Sequence, residues 1–252
     1  LKHCHFASTT AAIENMLVSC RIAIILLATW SDCALALDAL PEWQPFETTF
    51  GEIMVRQFGR ADGPMVVAVH GIVDTEYIRN EWNPVAQRLA AEGHHVVVPN
   101  FHGAPGKLRS GSMTGETFGA LLYELMALNG HVPERYRTVV RPKVAVLGKS
   151  WGAEMAARAA ALPDVVATVL VVPGFSEETA AELFPNISGD VALCLVKDDH
   201  RTFRNLDAFR KLLGGRETYI EAAVGGHRIV PELVEPIVSF VSQHDRYAHG
   251  EL

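Results

Sequence analysis

An apolar run, Val144-Ala145-Val146-Leu147, drives straight into Gly148-Lys149-Ser150-Trp151-Gly152, and an alanine-rich stretch follows from Ala153 without a linker. No other feature constrains the fold as much, because a buried strand must hand over to a helix almost at once. A serine on such a turn adopts a strained backbone, so the positions two before and two after it must be nearly side-chain-free. Gly148 and Gly152 meet that demand, and Ala153 adds a small residue where strand and helix pack. Ser150 would then stand clear of the strand's carboxyl end, where a nucleophile is useful. A bare Gly-x-Ser-x-Gly also arises as a glycine turn with a bystander serine; the strand before and the helix after favour the nucleophile.

Three further segments end in chemistry-bearing residues. Met65 to Ile72 is a buried-strand pattern that contains His70-Gly71 near its end. Val191 to Val196 is apolar and runs into Lys197-Asp198-Asp199, and Thr218 to Val224 leads into Gly225-Gly226-His227-Arg228. The two glycines permit a tight turn that could carry His227 back over the sheet. A lone histidine is more often structural, but one behind a serine elbow and after two glycines favours catalysis.

The order serine, acid, histidine, each at a strand's carboxyl end, resembles the α/β-hydrolase superfamily over Phe46 to Val241. The resemblance implies a doubly wound, mostly parallel α/β sheet and a triad of Ser150, Asp199 and His227. It also matches the backbone N–H groups of Trp151 and Ile72 to the positions that stabilise an oxyanion. Asp199 is preferred over Asp198 by match to the family pattern, which leaves Asp198 as a solvated loop carboxylate; adjacent side chains point different ways, so one of the two faces the histidine. His200 replaces a frequent proline at the acid turn. The elbow, the Lys-Asp-Asp turn and the Gly-Gly-His-Arg-Ile loop resemble the small cap-free branch that contains the fourteenth human α/β-hydrolase-domain group. His70 reads as a structural residue of the oxyanion loop, and Lys149 as solvated or locally paired. His94 and His95 belong to a strand edge rather than to a metal site, because no third ligand is spaced to join them.

The remaining pattern fits one α/β domain. Phe46 to Phe58 reads as a hairpin turning near Gly51, followed by an Ala61-Asp62-Gly63-Pro64 turn. Helices are expected over Asn83–Ala91, Glu116–Leu128 and Ala153–Leu162, with strands at His95–Pro99 and Val165–Val172. This alternation argues for a mainly parallel sheet with ligands beyond the strands' carboxyl ends. Only 17 residues, Gly174 to Asp190, separate two of these strands, with one short helical stretch at Glu177–Leu183. That interval is too small for a helical cap, so the site is lidless or minimally lidded.

Composition narrows the function further. A net charge of -7 with no basic run argues against nucleic acid and against a polybasic membrane patch. Read from Met16, the segment Leu17 to Ala36 has a basic n-region, a short apolar core at Ile22–Trp30 and a small-x-small site at Ala34-Leu35-Ala36. The core is shorter than the roughly 20 apolar residues a membrane span needs. Residues 1–36 are therefore expected to be a targeting segment, or a disordered N-terminus, ahead of a single domain at 37–252. The location follows from that choice: secretory pathway or organelle with a signal, cytoplasm without one. Cys4, Cys20 and Cys33 fall in this segment, which leaves Cys194 as a small core hydrophobe with no metal or disulfide role. No cofactor is implied. Two functions stay open: a serine hydrolase acting on a small-molecule acyl substrate, and a non-catalytic binding protein on the same fold.

Overall fold

In the computed structural model, residues 40–72, 75–101, 114–127 and 143–245 are described. The chain divides into two units, Leu1–Leu40 and Pro41–Leu252, and the sheet, its helices and the candidate site all belong to the second. The expected targeting segment, residues 1–36, lies outside the described residues, as does Leu128 at the end of its expected helix.

Eight strands form one sheet: β1 (Gln44–Thr48), β2 (Gly51–Phe58), β3 (Met65–Val69), β4 (His95–Asn100), β5 (Val144–Lys149), β6 (Val165–Val171), β7 (Asp190–Val196) and β8 (Glu217–Ala222). Their order is β1-β2-β4-β3-β5-β6-β7-β8. The hairpin β1–β2 turns at Gly51, where φ is 110°, and β2 runs antiparallel to β4. Every other pairing is parallel. From β3 the order runs one way to β4 and the other way to β5. Open α/β sheets bind ligands beyond the carboxyl ends at such a reversal. The residues just past β3 and β5 there are His70-Gly71 and Ser150.

The described helices are α1 (Glu76–Asn80), α2 (Asn83–Ala91), α3 (Gly115–Ala127), α4 (Trp151–Ala159), α5 (Glu177–Leu183), α6 (His200–Phe203), α7 (Leu206–Leu213) and α8 (Pro231–Asp245). Strand alternation sends successive side chains to opposite faces, and two apolar layers result. Val67, Val146 and Leu193 pack with Phe118, Ala156 and Phe209 of α3, α4 and α7. Ala68, Leu147 and Cys194 pack with Trp82, Leu89 and Leu233, the last two from α2 and α8. Both faces of the central strands are thus buried, which explains their unbroken apolar runs.

The sequence pattern anticipates α2 and α5 to the residue. It places the helix after the elbow too late, since α4 starts at Trp151 and ends at Ala159. It misses α1, α6, α7 and α8. His95 opens β4, as the expected strand from His95 implies, and β4 is an interior strand between β2 and β3. His94 and His95 are buried; the first meets the Leu89 carbonyl at 3.1 Å and the second the Gln57 side chain at 3.1 Å.

Candidate active site

Ser150 has φ 57° and ψ -116°, one of two non-glycine residues with positive φ among those described. Such a conformation costs on the order of 1–3 kcal/mol and persists only where surroundings hold it. Here they do: Ser150 N–H donates to the Val171 carbonyl at 3.0 Å, and its own carbonyl accepts from Ala153 and Gly174, both at 3.1 Å. The flanking glycines are forced by proximity. A Cβ on Gly148 would lie 2.0 Å from the Gly152 carbonyl oxygen, and one on Gly152 would lie 2.3 Å from that of Val69. A third, unanticipated glycine matters as well, because a Cβ on Gly174 would stand 2.8 Å from Ser150 Oγ.

Asp199 and His227 meet as expected. His227 Nδ1 donates to Asp199 Oδ2 at 2.6 Å, and the carboxylate is buried at 4% exposure. Thr202 Oγ1 donates to the same oxygen at 2.8 Å, while the Arg201 N–H donates to Oδ1 at 3.2 Å. Burial pushes the Asp199 carboxyl up, yet the hydrogen bonds from His227 and Thr202, the His227 charge and the Arg201 N–H together hold it below its ordinary value.

Asp198 differs from its expected role. It is solvent-exposed, but its Oδ2 accepts from Gly225 N–H at 3.1 Å and its Oδ1 from Gly226 N–H at 2.7 Å. Those two N–H groups are the leading cause of its lowered pKa. Asp198 therefore clamps the backbone that presents His227, while Asp199 orients the ring itself.

On the other side of the serine, a Cβ built on Gly71 would stand 3.6 Å from Ser150 Cβ. His70 is fully buried, and its Nε2 accepts the Phe101 N–H at 3.1 Å. That acceptance leaves the ring proton on Nδ1, which donates to the Gly71 carbonyl at 2.5 Å. With both ring nitrogens on backbone groups, His70 is structural, as its place in the loop implied. The Gly71–Ile72 peptide is trans, so the Ile72 N–H points opposite to the carbonyl held by His70. Trp151 opens α4, and a first-turn N–H has no acceptor within its helix. Its indole packs against His70 and Phe101, at ring-centroid distances of 6.4 and 6.0 Å.

Lys149 is locally paired rather than solvated. Its Nζ lies 3.0 Å from Glu81 Oε2, with side-chain exposures of 3% and 0%, and Glu81 Oε1 accepts the Gly71 N–H at 3.2 Å. Burial pushes the Glu81 carboxyl above its ordinary value, opposed by the Lys149 ammonium. Nothing in the spacing of Asn80-Glu81-Trp82-Asn83 ties Glu81 to the elbow, so sequence reasoning had no signal for it.

Ser150 and His227 line one cavity of about 680 Å³. Ser176, Glu177 and Glu178 form part of its wall on the α5 side, and Arg201, Arg204 and Asn205 on the α6 side. The guanidiniums of Arg201 and Arg204 have no ion-pair or hydrogen-bond partner among the described residues. The α5 wall is anchored by Phe175 and Phe184, which pack on Phe209 at 5.6 and 5.5 Å between ring centroids. Among the described residues no group of three His, Cys, Asp or Glu is placed to hold a metal, and no helix is long and apolar enough to cross a membrane. Cys194 is buried in β7, and burial pushes its thiol pKa up.

No protein-family profile matches the chain, and no curated protein matches it in sequence. Solved structures do. The thioesterase domain of the curacin biosynthetic pathway superposes with a TM-score of 0.61 at 16% identity, covering 81% of this chain and 100% of that one. The Pyrococcus furiosus esterase Pf2001 gives 0.63 at 15% identity, covering 83% and 93%. An α/β-hydrolase from a lagoon-sediment metagenome of Mar Chica, Morocco, gives 0.58 at 18% identity, covering 80% and 96%. Identities this low speak to architecture alone. Together with the strand order and the reversal at β3 and β5, they establish that the chain has the α/β-hydrolase fold.

Proposed function

We propose that the protein is a serine hydrolase that cleaves small acyl esters, thioesters or amides through an acyl-enzyme. The observation that carries this reading is the 2.6 Å hydrogen bond from His227, which shares a cavity wall with the strained Ser150, to the buried Asp199. With Nδ1 committed to Asp199, His227 has Nε2 left to take the Ser150 Oγ proton as the serine attacks a carbonyl. The tetrahedral oxyanion is met by the N–H groups of Trp151 and Ile72. His227 then passes its proton to the leaving group, and a water deprotonated by the same nitrogen releases the acyl group and restores Ser150. Asp199 stabilises the imidazolium throughout. The cavity wall favours small, polar acyl groups over long alkyl chains, because hydroxyls, carboxylates and guanidiniums predominate over the apolar Pro173 and Phe175. Membership of the small cap-free branch fits the short interval after β6, and the segment from Met16 is proposed to direct the chain to the secretory pathway or an organelle.

The test is active-site labelling. A fluorophosphonate probe should modify the purified protein, the adduct should map to Ser150, and Ser150→Ala should abolish both labelling and hydrolysis of p-nitrophenyl acetate. Folded protein that is neither labelled nor active would leave a non-catalytic binding role on this fold.

A further inference from the structure

A buried ion pair needs a reason, because a well-packed apolar pair in its place is often as stable or more so. The Lys149–Glu81 pair, 3.0 Å apart and at most 3% exposed, lies beside the site, and neither residue lines the cavity that Ser150 and His227 share. Its position supplies the reason. Lys149 immediately precedes Ser150, and a Cβ on Gly71 would lie 3.5 Å from the Lys149 ammonium and 3.6 Å from Ser150 Cβ. Glu81 spends one oxygen on that ammonium and the other on the Gly71 N–H, at 3.2 Å.

Glycine is the residue least able to fix its own backbone. The peptide before Gly71 is held through its N–H by Glu81; the peptide after it is held through its carbonyl by His70. With both held, the Ile72 N–H has a fixed direction and the Gly71–Ile72 segment a fixed place. Glu81 is itself held firmly: the neighbouring Asn80 and Asn83 accept from Arg56 at 2.8 and 3.2 Å, and the Trp82 indole donates to the Val69 carbonyl at 3.0 Å.

We propose that Glu81 and Lys149 are positioning residues: the pair locks the oxyanion-side segment at Gly71–Ile72 to the nucleophile elbow, so that the donor at Ile72 and Ser150 keep a fixed relation. The role rests on the serine-hydrolase reading, and an apolar pair could not fill it, because it offers the Gly71 N–H no acceptor.

Two double variants test this without leaving a charge buried alone. Glu81→Gln/Lys149→Met keeps an acceptor for Gly71; Glu81→Leu/Lys149→Met removes it. Wild type and Ser150→Ala run in the same ester assay, so an inert wild type counts against the hydrolase reading alone. Amide hydrogen exchange at Gly71 tests the lock independently of turnover. The Leu variant should melt within a few degrees of the Gln variant yet lose about 10²-fold in kcat, on the scale of losing one oxyanion donor, with KM little changed. The Gln variant should stay within about tenfold of wild type, and Gly71 exchange should speed up only in the Leu variant. Should the Leu variant not fold, Glu81→Asn/Lys149→Met, whose amide is too short to reach Gly71, carries the same comparison. A folded variant without the acceptor that turns over like wild type, or equal losses in both doubles, would overturn the proposal.

Discussion

Asp199→Asn should lower kcat on p-nitrophenyl acetate by about 10⁴-fold while Asp198→Asn lowers it by less than about tenfold, although the residues are adjacent and the change is the same. The difference follows from what each oxygen accepts. Asp199 Oδ1 takes the Arg201 N–H, and Oδ2 takes both Thr202 Oγ1 and His227 Nδ1. An asparagine there must keep its one oxygen toward the fixed Arg201 N–H, since the reverse orientation sets two donors face to face. Its NH₂ then faces His227, which can meet it only by accepting at Nδ1. The ring proton moves to Nε2, the nitrogen that must be free to take the Ser150 proton, and the base is lost with its geometry intact. At Asp198 the two oxygens accept from Gly225 and Gly226 at an exposed turn. Asparagine keeps one of those bonds, and water replaces the other. The assay is steady-state kinetics on both variants, with circular dichroism to confirm folding. Equal losses, or a larger loss at Asp198, would refute the assignment of the acid and the tautomer argument together.

Gly174→Ala should still fold but cut kcat by about 10²-fold, because the new methyl stands 2.8 Å from Ser150 Oγ and 3.2 Å from the Ser150 carbonyl carbon and so displaces the serine. Gly148→Ala should instead fail to fold or melt far lower, because its methyl would meet the Gly152 carbonyl oxygen at 2.0 Å; a soluble, active Gly148→Ala protein would contradict the elbow packing. The lowered Asp199 pKa makes a stabilising contribution that is complete above the ordinary carboxylate value of about 3.9 and is lost as pH falls through the folded value. Melting curves should therefore show wild type losing ground to Asp199→Asn below about pH 4. Across p-nitrophenyl acetate, butyrate, octanoate and palmitate, kcat/KM should fall with chain length and show no jump above the micelle concentration. Fast palmitate hydrolysis on micelles, with acetate poorly used, would show an acyl groove that the polar wall of the cavity does not provide.

What the sequence made legible was what period and steric demand encode locally. The elbow was readable because Gly148, Ser150 and Gly152 report a backbone that only near-absent side chains allow. Helix α2 was readable because Pro84 lies at its start and Gly93 just beyond its end. Helix α8 was not, because Pro236 inside it reads as a breaker while Leu233, Ile237 and Val241 carry the buried face. Helix α7 is short, and its buried positions Phe209 and Leu213 stand among charged residues. Gly174 and Glu81 reach Ser150 and Gly71 from other segments of the chain, and no local pattern in either segment points across that gap. Placing Asp199 needed a family pattern; the role of Asp198 needed the turn itself.

The two adjacent acids show how one dipeptide can settle two separate requirements of the proposed catalytic loop. A histidine on a glycine-rich turn must have its backbone located and its ring rotated correctly, and neither follows from the other. The turn after β7 sends consecutive carboxylates in different directions, so Asp198 reaches the Gly225 and Gly226 amides while Asp199 stays buried against the ring. The turn needs glycines because Gly225 has φ 140° and Gly226 φ 62°, and glycine's wide conformational range is what the clamp narrows. Buried Asp199 alone would fix a ring on a wandering loop, and exposed Asp198 alone would fix a loop whose ring spins. The proposed oxyanion side has the same logic in other chemistry. Gly71 is held through its N–H by Glu81 and through its carbonyl by His70. On both flanks of Ser150, glycine permits a backbone that other residues resist, and paired polar anchors remove the conformational freedom it brings.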